Sequence, residues 1–262
     1  LNPSSAASDV YKRQLLKSFC KYVDDNLSPS HHIIAANEGN AIGIASGFHL
    51  ATNQFPVVYL QNSGLGNCIN PLTSLADKDV YSIPMLLIIG WRGEPGVKDE
   101  PQHLSQGRIT PDLLNVLGIQ FLILDADSDA VSIAKEAKEL IKFHNSPVAI
   151  LVKKNTFLEY GKTSISSSGS FKREAALEAI LSAGKKDAIY ISTTGKLSRE
   201  LNEVRFRRGE DNSDFLSVGS MGHTSSIALG VALSSPAKDV ICLDGDGALL
   251  MHMGALPIIG SM

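Results

Sequence analysis

Cysteine is the first scarcity in this chain of 262 residues: there are three, Cys20, Cys68 and Cys242, widely spaced and without a CxxC pair. That argues against a disulfide framework or a zinc ribbon and predicts reduced, buried thiols in a cytoplasmic protein. Long apolar runs are missing too. No stretch approaches the roughly 20 residues that span a bilayer, and residues 1–14 lack the apolar core of a signal peptide. Charge of one sign is equally scarce. The formal net charge is -3 and no run of like charge exceeds three residues, so the sequence carries no electrostatic footprint for nucleic acid or an anionic membrane. What is present is 44% hydrophobic and 19% charged residues, globular values in a chain long enough for two domains, each with its own core.

Short apolar runs rich in β-branched residues alternate with longer helical patterns, which predicts an α/β protein whose mostly parallel sheets are covered by helices. In the first half the expected strands are His32 to Ala35, Val57 to Gln61, Met85 to Gly90, Gln120 to Leu124 and Val148 to Lys153. Helices are expected near Leu15 to Asn26, Gly39 to Thr52, Arg108 to Leu117 and Asp129 to His144, with Pro111 near the start of its helix. The polar, small-residue stretch 161–171 reads as a flexible linker. Beyond it the pattern restarts, with helices near Arg173 to Ala183, from Lys196 and from His223 to Leu233. The accompanying strands are Ala188 to Ser192, Phe215 to Val218 and Val240 to Leu243. The expected organisation is a leader foreign to the fold at 1–14, a first domain at 15–160, the linker at 161–171, and a second domain at 172–262 cut short inside a helix.

The densest chemistry lies in Leu243-Asp244-Gly245-Asp246-Gly247-Ala248, at the end of an apolar strand. Gly245 and Gly247 permit a sharp turn and a close backbone approach to a ligand. Asp246 between them can offer a hard carboxylate oxygen to Mg²⁺ beside phosphates. A calcium loop would need Asp or Asn at 248 and Glu at 255, and both are Ala. A dinucleotide fingerprint would need Gly at 250, which is Leu, and the P-loop lysine is absent. A plain tight turn that carries an aspartate would have the same sequence.

In the first domain Glu38 opens a helix with small residues at Ala41, Gly43, Ala45 and Gly47. It reads either as a functional carboxylate or as a favourable charge at a helix N-terminus. The second strand ends in Gln61-Asn62-Ser63-Gly64-Leu65-Gly66-Asn67, at the sheet end where open α/β folds place ligands, although Ser and Asn also cap helices. The third ends in Gly90-Trp91-Arg92-Gly93-Glu94-Pro95-Gly96, followed by Asp99-Glu100-Pro101-Gln102-His103. This long loop reads as a lid or as a solvated charged loop. Arg92 is a candidate anion clamp and His103 a candidate proton carrier.

Taken in order, these segments resemble the pyrimidine-binding domain of phosphonopyruvate decarboxylases, which depend on thiamine diphosphate. Thr194-Gly195-Lys196-Leu197-Ser198-Arg199-Glu200, Asp214-Phe215, Val218-Gly219-Ser220-Met221-Gly222-His223 and Leu243 to Ala248 resemble the diphosphate-binding domain of the same family. The resemblance covers about Leu15 to Met262. It implies that Glu38 hydrogen-bonds the aminopyrimidine ring and promotes its imino tautomer. Gln61, Asn62, Gly64, Gly219, Ser220, Met221, Gly222, His223, Gly245, Asp246, Gly247 and Ala248 would then bind the cofactor, and Asp246 would ligate Mg²⁺. Arg92 and His103 would act on the substrate. The Asn that completes the family's metal site finds no match, because no Asn follows Asn212.

The activity implied is decarboxylation of 3-phosphonopyruvate to phosphonoacetaldehyde and CO₂ in phosphonate biosynthesis. A homo-oligomer is expected, with the site shared between subunits and neither nucleic acid nor membrane as partner. Sulfopyruvate decarboxylation is the neighbouring alternative. The presence of both domains on one chain favours phosphonopyruvate, since sulfopyruvate enzymes are often built from two chains. A non-catalytic diphosphate-binding protein and an inactive fragment are the remaining alternatives. For residues 1–262 alone, weak cofactor binding and no turnover are expected.

Overall fold

The computed structural model describes residues 15–161, 171–211 and 214–262. The expected leader at 1–14 and positions 162–170 of the expected linker lie outside the described residues. The chain divides into two units, Leu1–Thr163 and Ser164–Met262.

The first unit runs α1 (Lys17–Asn26), α2 (Glu38–Thr52), β1 (Val57–Gln61), a single turn at Asn62–Gly64, α3 (Leu65–Pro71), a wide π turn at Leu72–Ala76, β2 (Leu86–Gly90), α4 (Pro101–Val116), β3 (Gln120–Leu124), α5 (Ala130–His144) and β4 (Val148–Val152). Its four strands are parallel in the order β1-β2-β4-β3. Side chains alternate between two buried faces, as a parallel sheet covered on both sides requires. Val58, Leu60, Leu87, Ile89 and Leu151 pack with Ile42 of α2, Leu65 of α3 and Leu114 of α4. Val57, Tyr59, Leu86, Val148 and Ile150 pack with Val23 of α1 and Ile141 of α5. The register pairs Gln61 with Gly90, Gly90 with Val152, and Val152 with Leu124, so the carboxyl ends of all four strands lie side by side. Helices α2 and α5 have caps legible in the sequence: Asn37 Oδ1 accepts the Asn40 amide at 2.9 Å, and Asp129 Oδ1 accepts that of Val131 at 3.0 Å. Both end on an asparagine in the left-handed region, Asn53 and Asn145.

The second unit runs α6 (Arg173–Ala183), β5 (Ile189–Ser192), α7 (Lys196–Arg207), β6 (Phe215–Leu216), α8 (Thr224–Ser234), β7 (Val240–Leu243), α9 (Asp246–Met251) and α10 (Ala255–Ser261). Its parallel sheet has the order β6-β5-β7. Leu177, Leu181, Tyr190, Leu201 and Val204 form its core. Arg205 of α7 stacks 4.9 Å over the Tyr190 ring and pairs with the Asp214 carboxylate at 2.9 Å, which seats β6 beside β5. Among the described residues no helix is long and apolar enough to cross a membrane.

Three expectations are corrected. His32 to Ala35 forms no strand: its place at the β1 edge is held by side chains, with His32 Nε2 2.7 Å from the Tyr59 hydroxyl and Nδ1 3.2 Å from Asp24. The helix expected from Arg108 begins instead at Pro101, which puts Pro111 in its interior. Proline has no N–H to give the Gly107 carbonyl one turn back, and the Trp91 indole Nε1 donates to that carbonyl at 2.8 Å. Cys20 and Cys68 are buried, but Cys242 is exposed, because Ile241 and Leu243 face the core and their strand neighbour faces away.

Candidate active site

Glu38 is the first residue of α2, yet only 6% of it is exposed. Its carboxylate is met by the turn that follows β1. The Asn67 side-chain amide donates to Oε2 at 2.8 Å, and a Cβ on Gly64 would stand 2.3 Å from Oε1. Only glycine at 64 lets the chain approach so closely. Burial pushes the Cys68 thiol up, and the Glu38 charge adds to the effect.

Asn62 is 4% exposed and fully engaged. Its amide donates to the Arg92 carbonyl at 2.8 Å and to Thr110 Oγ1 at 3.0 Å, while its Oδ1 accepts the Arg92 amide at 3.1 Å. These bonds bolt β1, the loop after β2 and α4 together. Gln61 turns its Nε2 to Ser63 Oγ at 2.8 Å.

That loop is tied down along its length rather than free as a lid. Arg92 forms a two-pronged pair with Asp99, its Nε 2.7 Å from Oδ2, and Asp99 also accepts the Gly93 amide at 2.9 Å. These bonds hold the Asp99 carboxyl well below the usual carboxylate range. Lys153 reaches Glu94 at 3.0 Å. Arg92 therefore carries a bound carboxylate where the sequence suggested a waiting anion clamp. His103 lies in the first turn of α4 with its Nδ1 buried and without a hydrogen bond. Desolvation, aided by the Arg92 charge, pushes its pKa down, so near neutrality it is a neutral imidazole and a weaker base than an ordinary histidine.

In the second unit the carboxyl ends of β5, β6 and β7 converge. The Thr193 amide donates to the Leu243 carbonyl at 2.8 Å. Ser198 Oγ sits 2.7 Å from the Thr193 carbonyl, 2.8 Å from Ser192 Oγ and 2.9 Å from the Ser217 carbonyl, knotting the strand ends together. Around this knot the polar groups are left over. Among the described residues five buried side-chain atoms make no hydrogen bond, and four belong to this unit: Thr193 Oγ1, Thr224 Oγ1, Asp244 Oδ2 and His252 Nδ1. Each orphan costs about 1–3 kcal/mol. Gly222, at φ +89, lies so close to His252 that a Cβ would stand 2.5 Å from Nδ1. The His223 and His252 rings are 4.5 Å apart, and Ser220 Oγ is 3.2 Å from His223 Nδ1. Asp246 opens α9 and is exposed, whereas Asp244 Oδ1 accepts the Gly245 amide at 2.9 Å. Ala248 is buried.

Among the described residues no group of three or more His, Cys, Asp or Glu side chains could by itself hold a metal ion. Mg²⁺ commonly takes one or two carboxylates and completes its shell with phosphate oxygens and water. The exposed Asp246 carboxylate and the four orphans suit a phosphate–metal group better than a metal held by protein alone. Of these, Thr193, Thr224 and His252 were not singled out from sequence, and neither was Asn67 as a partner of Glu38. The first three carry no motif; Asn67 closes the Gln61 to Asn67 segment, a position that marked it out.

Residues 13–115 match the thiamine pyrophosphate enzyme N-terminal TPP binding domain, and residues 193–260 match the corresponding C-terminal TPP binding domain. The chain belongs to the thiamine pyrophosphate enzyme family. Its parallel sheets flanked by helices are two domains of the thiamine diphosphate-binding type. It is 35% identical over 250 residues to a phosphonopyruvate decarboxylase of Streptomyces viridochromogenes, an alignment covering 88% of this chain and 61% of that protein. A sulfopyruvate decarboxylase of Methanosarcina acetivorans is 30% identical over 92% of this chain and 65% of its own length. The alpha subunit of the sulfopyruvate decarboxylase of Methanococcus maripaludis is 35% identical over 52% of this chain and 79% of its own length. The chain thus spans about three fifths of the phosphonopyruvate decarboxylase it matches. Because the Methanosarcina sulfopyruvate decarboxylase aligns with both domains on one chain, a single-chain arrangement does not separate the two substrates as expected.

Proposed function

We propose that this thiamine diphosphate-family chain serves a decarboxylase that converts 3-phosphonopyruvate to phosphonoacetaldehyde and CO₂, in phosphonate biosynthesis in the cytoplasm. The observation that carries the reading is the buried Glu38 carboxylate, held through one oxygen at the carboxyl end of the sheet. A protein that only binds diphosphate has no use for such a group. Thiamine diphosphate, when bound, supplies the electron sink for loss of CO₂ from a 2-oxo acid.

The rest falls to the chain. Glu38 offers a desolvated acceptor oxygen to the aminopyrimidine ring, near Gln61 and Gly64. Gly219, Ser220, Met221, Gly222 and His223 line the ring's other side, contributed by a neighbouring subunit in a dimer or higher oligomer. Gly245, Gly247 and Ala248 bring backbone to the diphosphate, and Asp246 supplies the Mg²⁺ carboxylate. Thr193, Thr224 and His252 find their missing partners there. His103, neutral by burial, accepts or shares a proton beside the substrate. Arg92 meets the substrate's anionic group in competition with Asp99. A phosphonate can carry two negative charges and a sulfonate one, so that competition favours the phosphonate.

Sulfopyruvate remains the second reading because relatives of that activity align with both units. CO₂ release from the two substrates, measured with thiamine diphosphate and Mg²⁺, tests the proposal. Faster turnover of sulfopyruvate, or of neither, would overturn it.

A further inference from the structure

The Glu38 side chain makes a single hydrogen bond among the described residues, to Asn67 Nδ2, and that bond uses Oε2 alone. We propose that Asn67 is a positioning residue: by holding Oε2 it keeps the Glu38 carboxylate turned so that Oε1 is the oxygen presented to a ligand. The inference rests on the reading of Glu38 as the carboxylate that meets the aminopyrimidine ring, and it names the group that sets that carboxylate's orientation.

Asn67 lies on α3, while Glu38 opens α2, so the bond spans two helices and caps neither. The helices are interlocked there by backbone as well. A Cβ on Gly39, the residue after Glu38, would stand 2.8 Å from the Asn67 carbonyl oxygen. Gly64 closes on the carboxylate from the turn before α3. The carboxylate therefore cannot swing freely. An amide N–H is a donor only, so it fixes the one oxygen it meets and leaves the other without a partner among the described residues. The titratable neighbour coupled to Glu38 is the Cys68 thiol of α3, which burial first and the Glu38 charge second hold well above the ordinary thiol range, and hence uncharged.

The test follows the side-chain carboxyl ¹³C signal of Glu38 at one neutral pH in the cofactor-free chain, assigned with Glu38→Gln. Asn67→Leu, which removes the donor, is expected to move the signal and broaden it as the carboxylate gains freedom to turn. Asn67→Asp, which keeps the shape but offers no amide donor, should move it as well. Asn67→Gln, which retains an amide, should restore part of the difference. Asn67→Asp also guards against a folding defect in the leucine variant, since it preserves side-chain volume. A Glu38 carboxyl signal that is the same in the parent and in Asn67→Asp overturns the inference. Titrating the parent chain calorimetrically with thiamine diphosphate and Mg²⁺ tests the underlying reading separately: absent binding would sink the cofactor assignment while the carboxyl signal still reports on Asn67.

Discussion

The two units meet the same problem, polar groups gathered at the carboxyl end of a parallel sheet, with opposite solutions. In the first unit, His103 Nδ1 apart, they satisfy one another: Asn62 with Arg92 and Thr110, Asn67 with Glu38, Arg92 with Asp99, Trp91 with Gly107. In the second, beyond the Ser192–Ser198–Ser217 knot, Thr193, Thr224, Asp244 and His252 each keep a buried atom without a partner. The first end is organised before any ligand arrives. The second carries a cost that a ligand rich in oxygen would remove. Under the proposed function the contrast has a reason: a ring that must be oriented calls for fixed side chains, and a diphosphate with its metal calls for unsatisfied donors and acceptors.

The largest effect expected from breaking this contrast is on chemistry. Glu38→Gln should remove most turnover while leaving thiamine diphosphate affinity within about tenfold, or 1.4 kcal/mol, because it alters proton acceptance more than packing. Equal kcat in variant and parent would refute the role assigned to Glu38.

Next in size is the internal pairing of the first unit. Asp99→Asn leaves the Arg92 guanidinium without its counter-charge and should cost about 2–3 kcal/mol of urea stability. The pair also has a pH signature. The Asp99 carboxyl titrates below its ordinary range when folded. Its contribution is therefore complete above about pH 4 and is lost as pH falls further. The parent should lose stability in that acid window and the Asp99→Asn variant should lose less. Parallel pH dependences for the two proteins would show that the pair adds nothing.

The second unit should respond with the opposite sign. Thr193→Val exchanges an orphaned hydroxyl for a methyl and should raise ligand-free stability by about 1 kcal/mol, while weakening binding of pyrophosphate with Mg²⁺. A loss of stability would mean that the hydroxyl already has a partner. The smallest effect is expected at Pro111. Replacing an interior helical proline by alanine ordinarily recovers about 3 kcal/mol. Here the restored N–H must share the Gly107 carbonyl with Trp91, so the gain should stay below about 1 kcal/mol. Unfolding monitored through the fluorescence of Trp91, the single tryptophan, measures it.

Much of the fold was legible because apolar runs flanked by turn residues mark parallel strands directly: Val57 to Gln61, Gln120 to Leu124 and Val240 to Leu243 stand where the pattern places them. His32 to Ala35 misled because an extended apolar run looks alike whether it joins a ladder or lies beside one. The start of α4 was hidden by the charged stretch before it, although Pro101 occupies the first helical position that proline favours. In the candidate site Glu38 and Asp246 could be singled out, since each opens a helix beside a glycine, although that placement alone equally fits a favourable helix charge. The side-chain partners of Asn62 were not legible. They are 30 and 48 residues away, and an amide facing its own loop has the same local sequence as one facing a ligand.

The sequence by itself determined the two α/β units, the glycine-flanked Asp246, the glycine at 64 and the acid at 38, because periodicity, turn chemistry and residue type are local properties. Only the tertiary structure decided which polar atoms are already paired. It closed Arg92 onto Asp99, drove His103 toward the neutral state, turned Asn67 onto Glu38 and left Thr193, Thr224, Asp244 and His252 waiting. Hydrogen-bond satisfaction depends on which distant segments share a sheet end, and that is set by strand order and register rather than by any residue's neighbours in the chain.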